Sequence, residues 1–213
     1  MIFHGYFRSS AAYRCRIALN LKGLSPEMVA VHLRKGEQRS EDFLKLNPQG
    51  FVPALVTDCH VLTQSLAIIE WLEDVYPSPA LLPCDPFERA HVRALALAIA
   101  CDIHPLQNLR VLGHLRSELG QDQAQLDAWC RRWIESGLAA FEAQLNASGT
   151  VGAFCHGDMP GLADLCLIPQ LFSAARFGAD VSQLATVNRI AAHCAAHPAF
   201  AAAHPSQQPD FEA

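Results

Sequence analysis

Chemistry in this chain starts at a pair of hydroxyls, Ser9 and Ser10, with Arg8 beside them. Before them runs a short apolar stretch, Met1 to Tyr6, and after them Ile17, Ala18, Leu19 and Leu21 recur at helical spacing. The pair therefore stands where a strand hands over to a helix. The first free N–H groups and the positive end of the helix dipole favour an anion at such a place. Ser9 and Ser10 can donate hydrogen bonds to that anion, and Arg8 adds a full positive charge. A Ser-Ser pair here is equally a helix cap, and by itself that is the plainer reading. Gln64-Ser65 opens a later helix and offers a second anion the same free N–H groups.

The elements that must hold these residues follow from pattern. The first strand covers Met1 to Tyr6, and the first helix closes at Lys22-Gly23, a cation followed by a glycine stop. Glu27 to Leu33 reads as a second strand, so the opening is a βαβ unit with parallel strands and a right-handed crossover. Residues 35–39 form a polar loop, Glu41 to Leu46 a short helix, and Asn47-Pro48-Gln49-Gly50 a turn. Phe51 to Val56 is strand-like, and its Val52–Pro53 bond is a candidate cis peptide. Val61-Leu62 gives one more strand, and a helix runs from Gln64-Ser65 to Val75, stopped by Pro77.

Pro77 to Pro86 is rich in proline, which places a linker at 79–85 between a domain over 1–78 and another over 86–213. Beyond it only helices are expected. The first runs from Phe87 to about Leu119, bent near Pro105, and the second from Asp122 to Leu145. Ala163 to Arg176, Gln183 to Ala196 and Pro198 to Ala203 follow, with a frayed tail after Pro205. The fold class is an α/β first domain, β-α-β-α-β-β-α, followed by an all-α second domain.

Composition sets the outer limits. The 213 residues can bury a substantial core, and a net charge of −5 argues against a nucleic-acid partner. No stretch has the uninterrupted apolar length of a membrane span, and the N-terminus shows no leader pattern. Eight cysteines are scattered without a C-x-x-C pair or zinc spacing to histidine, so no metal is expected. They read as reduced, mostly buried thiols of a cytoplasmic protein.

The element order resembles the glutathione transferases, a thioredoxin-like half followed by an all-helical half. Arg8-Ser9-Ser10 with Arg14, Arg16, Ile17, Ala18 and Leu19 is similar to the signature of the zeta class. So are Asn47 to Leu55, Leu62 to Glu70, Cys101 to Arg110, and His156-Gly157-Asp158 with Ala163 to Gln170. Each piece alone is weak; in order, at family spacing and over nearly the whole chain, they are specific. The resemblance is greatest to the bacterial maleylacetoacetate isomerases, with maleylpyruvate isomerases next. Two positions depart from it. Ala11 stands where a cysteine is usual, and Gly161 stands where Ser or Thr caps the central helix, three residues before Asp164.

The resemblance implies glutathione as cofactor and cis-to-trans isomerisation of maleylacetoacetate, a small diketo acid. Maleylpyruvate isomerisation and transfer to small α-halo acids are the alternatives. Ser9, supported by Ser10, would lower the thiol pKa from about 8.5; Tyr6 remains a rival donor, while Tyr13, a full turn into the helix, reads as packing. Gln64 and Ser65 would hold the γ-glutamyl carboxylate, Val52 would pair with the cysteinyl main chain, and Gln38 would reach the glycyl end. His104 and Asn108 are implied in the same cleft, although a lone histidine is more often structural. Arg8, Arg110 and Arg176 would bind the substrate and the negative charge that develops on it. Read alone, Arg110 and Arg176 are ordinary solvent-facing arginines. A two-fold homodimer is also implied, the first domain of one subunit against the helices of the other.

Overall fold

A computed structural model describes residues 1–212. The chain divides into two compact units, residues 1–81 together with the chain from 196 onward, and residues 82–195.

The first unit is built on a four-stranded sheet of β1 (Ile2–Gly5), β2 (Glu27–Ala30), β3 (Ala54–Val56) and β4 (Val61–Thr63), in the order β2-β1-β3-β4. β1 lies parallel to β2, with Phe3 opposite Met28, and antiparallel to β3, with Phe3 opposite Leu55. β4 continues antiparallel, Leu62 opposite Leu55. Three helices accompany the sheet, α1 (Ser10–Leu21), α2 (Glu41–Leu46) and α3 (Ser65–Val75). Phe3, Ala12, Cys15, Ile17, Leu55, Ile68 and Leu72 are buried in its core. A second apolar cluster gathers Tyr6, Phe7, Val31, Phe43 and Val52. α1 ends as its sequence indicates: Lys22 caps it and Gly23 takes the left-handed conformation at φ 67°.

Two strands are shorter than the pattern suggests, each for a local reason. β2 ends at Ala30 because β1, which it pairs with, ends at Gly5; the last rung is the Val31 N–H donating to Gly5 O at 2.7 Å. The chain then turns through short 3-10 segments at Leu33–Lys35 and Glu37–Arg39, the first capped by the His32 ring. β3 starts only at Ala54, after the Val52–Pro53 peptide, which is cis.

The second unit is helical. It comprises α4 (Pro86–Leu97), α5 (Leu109–Ser117), α6 (Gln123–Ser148), α7 (Leu162–Phe177) and α8 (Ala185–Ala196). The single bent helix expected from 87 to 119 is instead broken. α4 passes into a π-helical turn, Ala98–Ile103, then a 3-10 turn, His104–Gln107. Pro105 has no N–H for a helical ladder, and Asn108 restarts the chain in an extended conformation. Its Oδ1 accepts the Arg110 N–H at 3.1 Å, capping α5. At α7 the Gly161 cap has no side chain. Asp164 compensates from within the helix, its carboxylate accepting the N–H groups of Gly161 and Cys155 at 2.9 Å each. Complete burial pushes the Asp164 carboxyl pKa up, against the pull of those bonds.

The C-terminal segment is docked, which corrects the expectation of a frayed tail after Pro205. α9 (Pro198–Ala203) packs on α1, where Asn20 Nδ2 donates to Ala199 O at 2.9 Å. Further on, Asp210 accepts the Phe7 N–H at 2.9 Å, the Phe211 ring meets Phe7 edge-on, and Glu212 pairs with His32 and Arg34. Phe7, Asn20, His32 and Arg34 all lie early in the chain, so composition near the C-terminus carries no sign of them.

Candidate functional site

In the first unit the serine pair sits at the start of α1. Ser9 is its N-cap, and its Oγ accepts the Ala12 N–H at 3.2 Å. That bond uses an acceptor lone pair and leaves the O–H available as a donor. Capping and donation are therefore compatible in one hydroxyl. Ser10, the first helical residue, is 6% exposed, and the Arg8 guanidinium lies over the Phe7 ring, 5.1 Å from its centroid. Tyr6 is buried in the apolar cluster, and its hydroxyl oxygen has no solvent access. That phenol is withdrawn from the surface, whereas the Ser9 hydroxyl lies at the start of α1. Tyr13 is buried at 3% exposure, packed as expected.

A second helix start carries Gln64 and Ser65. Gln64 has φ 68°, the single positive value on a non-glycine residue among those described. Its Nε2 donates to Gln49 Oε1 at 2.8 Å, tying α3's start to the turn at 47–50. Asn47, 3% exposed, organises that turn by accepting the Gln49 N–H and donating to Phe51 O. Gly50 is required there: its φ is +64° and an added Cβ would lie 3.0 Å from Gln38 O. Gln38 thus backs the turn, and its own Oε1 is buried without a partner among the described residues. Val52, 8% exposed, stands ahead of the β3 ladder.

Beneath Ser65 lies a residue to which the sequence assigned no role. Arg14, 2% exposed, donates from Nη1 to Ser65 Oγ at 3.3 Å, while its Nε and Nη2 have no partner among the described residues. Cys15 Sγ donates to Ser65 O at 3.5 Å alongside it. A buried guanidinium with open donors, under the positive end of α3, is poised for an anion. In the sequence it stands as one of two arginines, with Arg16, on the first helix, within the motif similar to the zeta class.

In the second unit, His104, Asn108 and Arg110 share the break between α4 and α5. His104 and Asn108 are half-buried and Arg110 is exposed. The break is pinned on both sides. Trp129 Nε1 donates to Leu106 O at 2.8 Å, and Gln107 Nε2 donates to Gln170 Oε1 at 2.8 Å. Gln170 lies on α7, which carries Arg176 in its last turn, exposed and stacked on Phe177 at 4.5 Å.

Cys15, Cys130, Cys155, Cys166 and Cys194 are buried thiols outside any disulfide, while Cys59, Cys84 and Cys101 are exposed; burial pushes the Cys130 thiol to about 11 and raises Cys155 and Cys194 as well. No group of residues suited to a metal occurs among those described.

Residues 8–75 match the glutathione S-transferase N-terminal domain. The chain is 48% identical over 216 residues to the maleylacetoacetate isomerase of Pseudomonas aeruginosa, covering all of both. Among solved structures, holo maleylpyruvate isomerase, a bacterial glutathione S-transferase of the zeta class, superposes with a TM-score of 0.98 at 48% identity over the whole of both chains. The maleylacetoacetate isomerase of Methylobacterium extorquens AM1, with bound malonate and glutathione, gives 0.97 at 42% over the same span. The chain belongs to the glutathione transferase family, in its zeta class.

Proposed function

We propose that the protein is a glutathione-dependent isomerase converting maleylacetoacetate to fumarylacetoacetate. The observation that carries this reading is the Ser9 hydroxyl, committed as an acceptor to Ala12 and so left to donate at the positive end of α1. Fit to glutathione is supported by Arg14, whose two open nitrogens under Ser65 call for an anionic ligand group. Gln64 and Ser65 would hold the γ-glutamyl carboxylate, Val52 the cysteinyl main chain and Gln38 the glycyl end. His104 and Asn108 would complete the glutathione site.

Bound glutathione supplies a thiolate whose reversible addition turns the maleyl double bond into one that rotates. The protein's part is electrostatic. Ser9, with Ser10 and the α1 dipole, stabilises charge on sulfur and holds the thiol pKa below its ordinary value of about 8.5. Arg8, Arg110 and Arg176 take the substrate's carboxylates and the charge developing on its carbonyl oxygens, where the planar fork of arginine suits two oxygens at once. No strong base is needed.

Maleylpyruvate is the second reading, favoured by the TM-score of 0.98 to a maleylpyruvate isomerase. Parallel assays of both substrates, with and without glutathione, decide. Fast turnover of maleylacetoacetate that vanishes without glutathione supports the proposal; preference for maleylpyruvate replaces the substrate. Binding of glutathione with turnover of neither moves the assignment to α-halo acids. A homodimer in a reducing, cytoplasmic compartment completes the reading, the compartment supported by eight cysteines outside any disulfide, and both tested by light scattering and fractionation.

A further inference from the structure

Within the first unit, the docked C-terminal segment reaches one functional place, the loop between β1 and α1 that carries Arg8 and Ser9. Two buried or half-buried side chains hold that loop. Arg16, 4% exposed, donates from Nη1 to Tyr6 O at 3.3 Å and from Nη2 to Phe7 O at 3.0 Å. Its Nε reaches Ala203 O at 3.1 Å, so one guanidinium joins the loop to the end of α9. Burial lowers its pKa to about 10, with Asp210 opposing, so it stays charged at neutral pH. From the other side Asp210 accepts the Phe7 N–H at 2.9 Å. Both main-chain polar groups of Phe7 are thus held by side chains, one of them from the C-terminal segment.

The Phe7 ring is held as well. Phe211 meets it edge-on with centroids 5.5 Å apart, and the Arg8 guanidinium lies 5.1 Å from the Phe7 centroid. A cleft of about 250 Å³ opens beside these contacts, lined by Phe7, Arg16 and Asp210 together with Met28, Ala30 and Pro209. Polar pins and a single ring contact hold the segment at this point. Their removal would free the loop while leaving the apolar core intact.

We infer that Arg16 and Asp210 are positioning residues, a clamp by which the C-terminal segment sets the placement of Arg8 and Ser9. The inference rests on the assignment of Ser9 as thiol donor made above. An unclamped Phe7 N–H would leave Ser9 and Arg8 on a looser loop, and small misplacements of catalytic groups cost rate steeply.

The test uses the full chain and two variants. Asp210→Ala removes the acceptor, and Asp210→Asn keeps one. With glutathione bound, Asp210→Ala should move the thiolate titration, read by ultraviolet absorbance, to higher pH. It should lower kcat by about tenfold to a hundredfold with KM for glutathione unchanged; Asp210→Asn should restore most of both. If Asp210→Ala titrates and turns over like the unmodified protein, the inference is overturned, even if its melting temperature falls. If the unmodified protein binds no glutathione, the functional assignment fails separately. The clamp is then judged by amide exchange: faster exchange from Phe7 to Ser10 in Asp210→Ala, with protection elsewhere retained, supports it, and unchanged exchange overturns it.

Discussion

Ser9 illustrates how one atom group can serve stability and chemistry together, and the two roles separate by substitution. Ser9→Ala loses the cap and the donor, so stability should fall by about 1 kcal/mol and turnover by about a hundredfold. Ser9→Gly keeps most of the cap energy, because glycine is a tolerable N-cap, yet should lose turnover to the same extent. Thermal melts and kcat measured on both variants decide whether donation or capping matters for rate. Arg14 gives a prediction of opposite signs. A buried guanidinium with two open nitrogens is unfavourable until an anion arrives. Arg14→Met should leave the ligand-free melting temperature unchanged or higher. Glutathione affinity should fall about tenfold, the worth of one charge-assisted hydrogen bond. A thermal-shift titration with and without glutathione reads both.

Elements show where a single atom decides local geometry. At α7, Asp164 supplies its half of a capping box while Gly161 supplies nothing in return. Gly161 has φ −132°, which any residue adopts, so Gly161→Thr should add a cap and reduce unfolded-chain entropy. A rise in melting temperature of about 2 °C is expected for a chain of this size; no rise refutes it. At α6, Gly137 faces the π-helical turn. An added Cβ would lie 2.5 Å from both Cδ1 and Cγ1 of Ile103, which is 2% exposed and has nowhere to go. Helix propensity favours alanine by about 1 kcal/mol, but overpacking costs about 1–3. Gly137→Ala should therefore destabilise by about 1 kcal/mol in denaturant unfolding. The pattern of residues 87–119 showed helix and a proline. It did not show the π-helical turn or the restart at Asn108, because these depend on what α6 admits alongside.

At the scale of the whole molecule, the chain leaves and re-enters its first unit. The exit is pinned by Glu73, whose carboxylate accepts Lys22 Nζ at 2.6 Å and the Leu81 N–H at 2.9 Å. The Lys22 side chain is 0% exposed, so Glu73→Ala leaves its ammonium with the Pro79 carbonyl at 2.6 Å but no counter-charge, and should cost about 3 kcal/mol of stability in urea unfolding. The return is the C-terminal segment, with Asn20, Arg16, Phe7, His32 and Arg34 as its partners. No helix among the described residues is long and apolar enough to cross a membrane.

By itself the sequence determined what local periodicity and local chemistry can specify. The α/β half and the helical half, the hydroxyl at the start of α1, the glycine stop at Gly23 and the turn at Asn47–Gly50 are all written within a few neighbouring residues. The family resemblance was legible for a related reason, since its motifs are short, contiguous stretches in a set order. Only the tertiary structure decided the rest. Arg14 is a buried charge bonded to Ser65 because α3 lies over it. Arg16 is a clamp because α9 returns to it, and Asp210 matters because Phe7, more than two hundred residues earlier, presents an N–H to it. Such roles belong to pairs of residues brought together by folding, and no window along the chain contains both members.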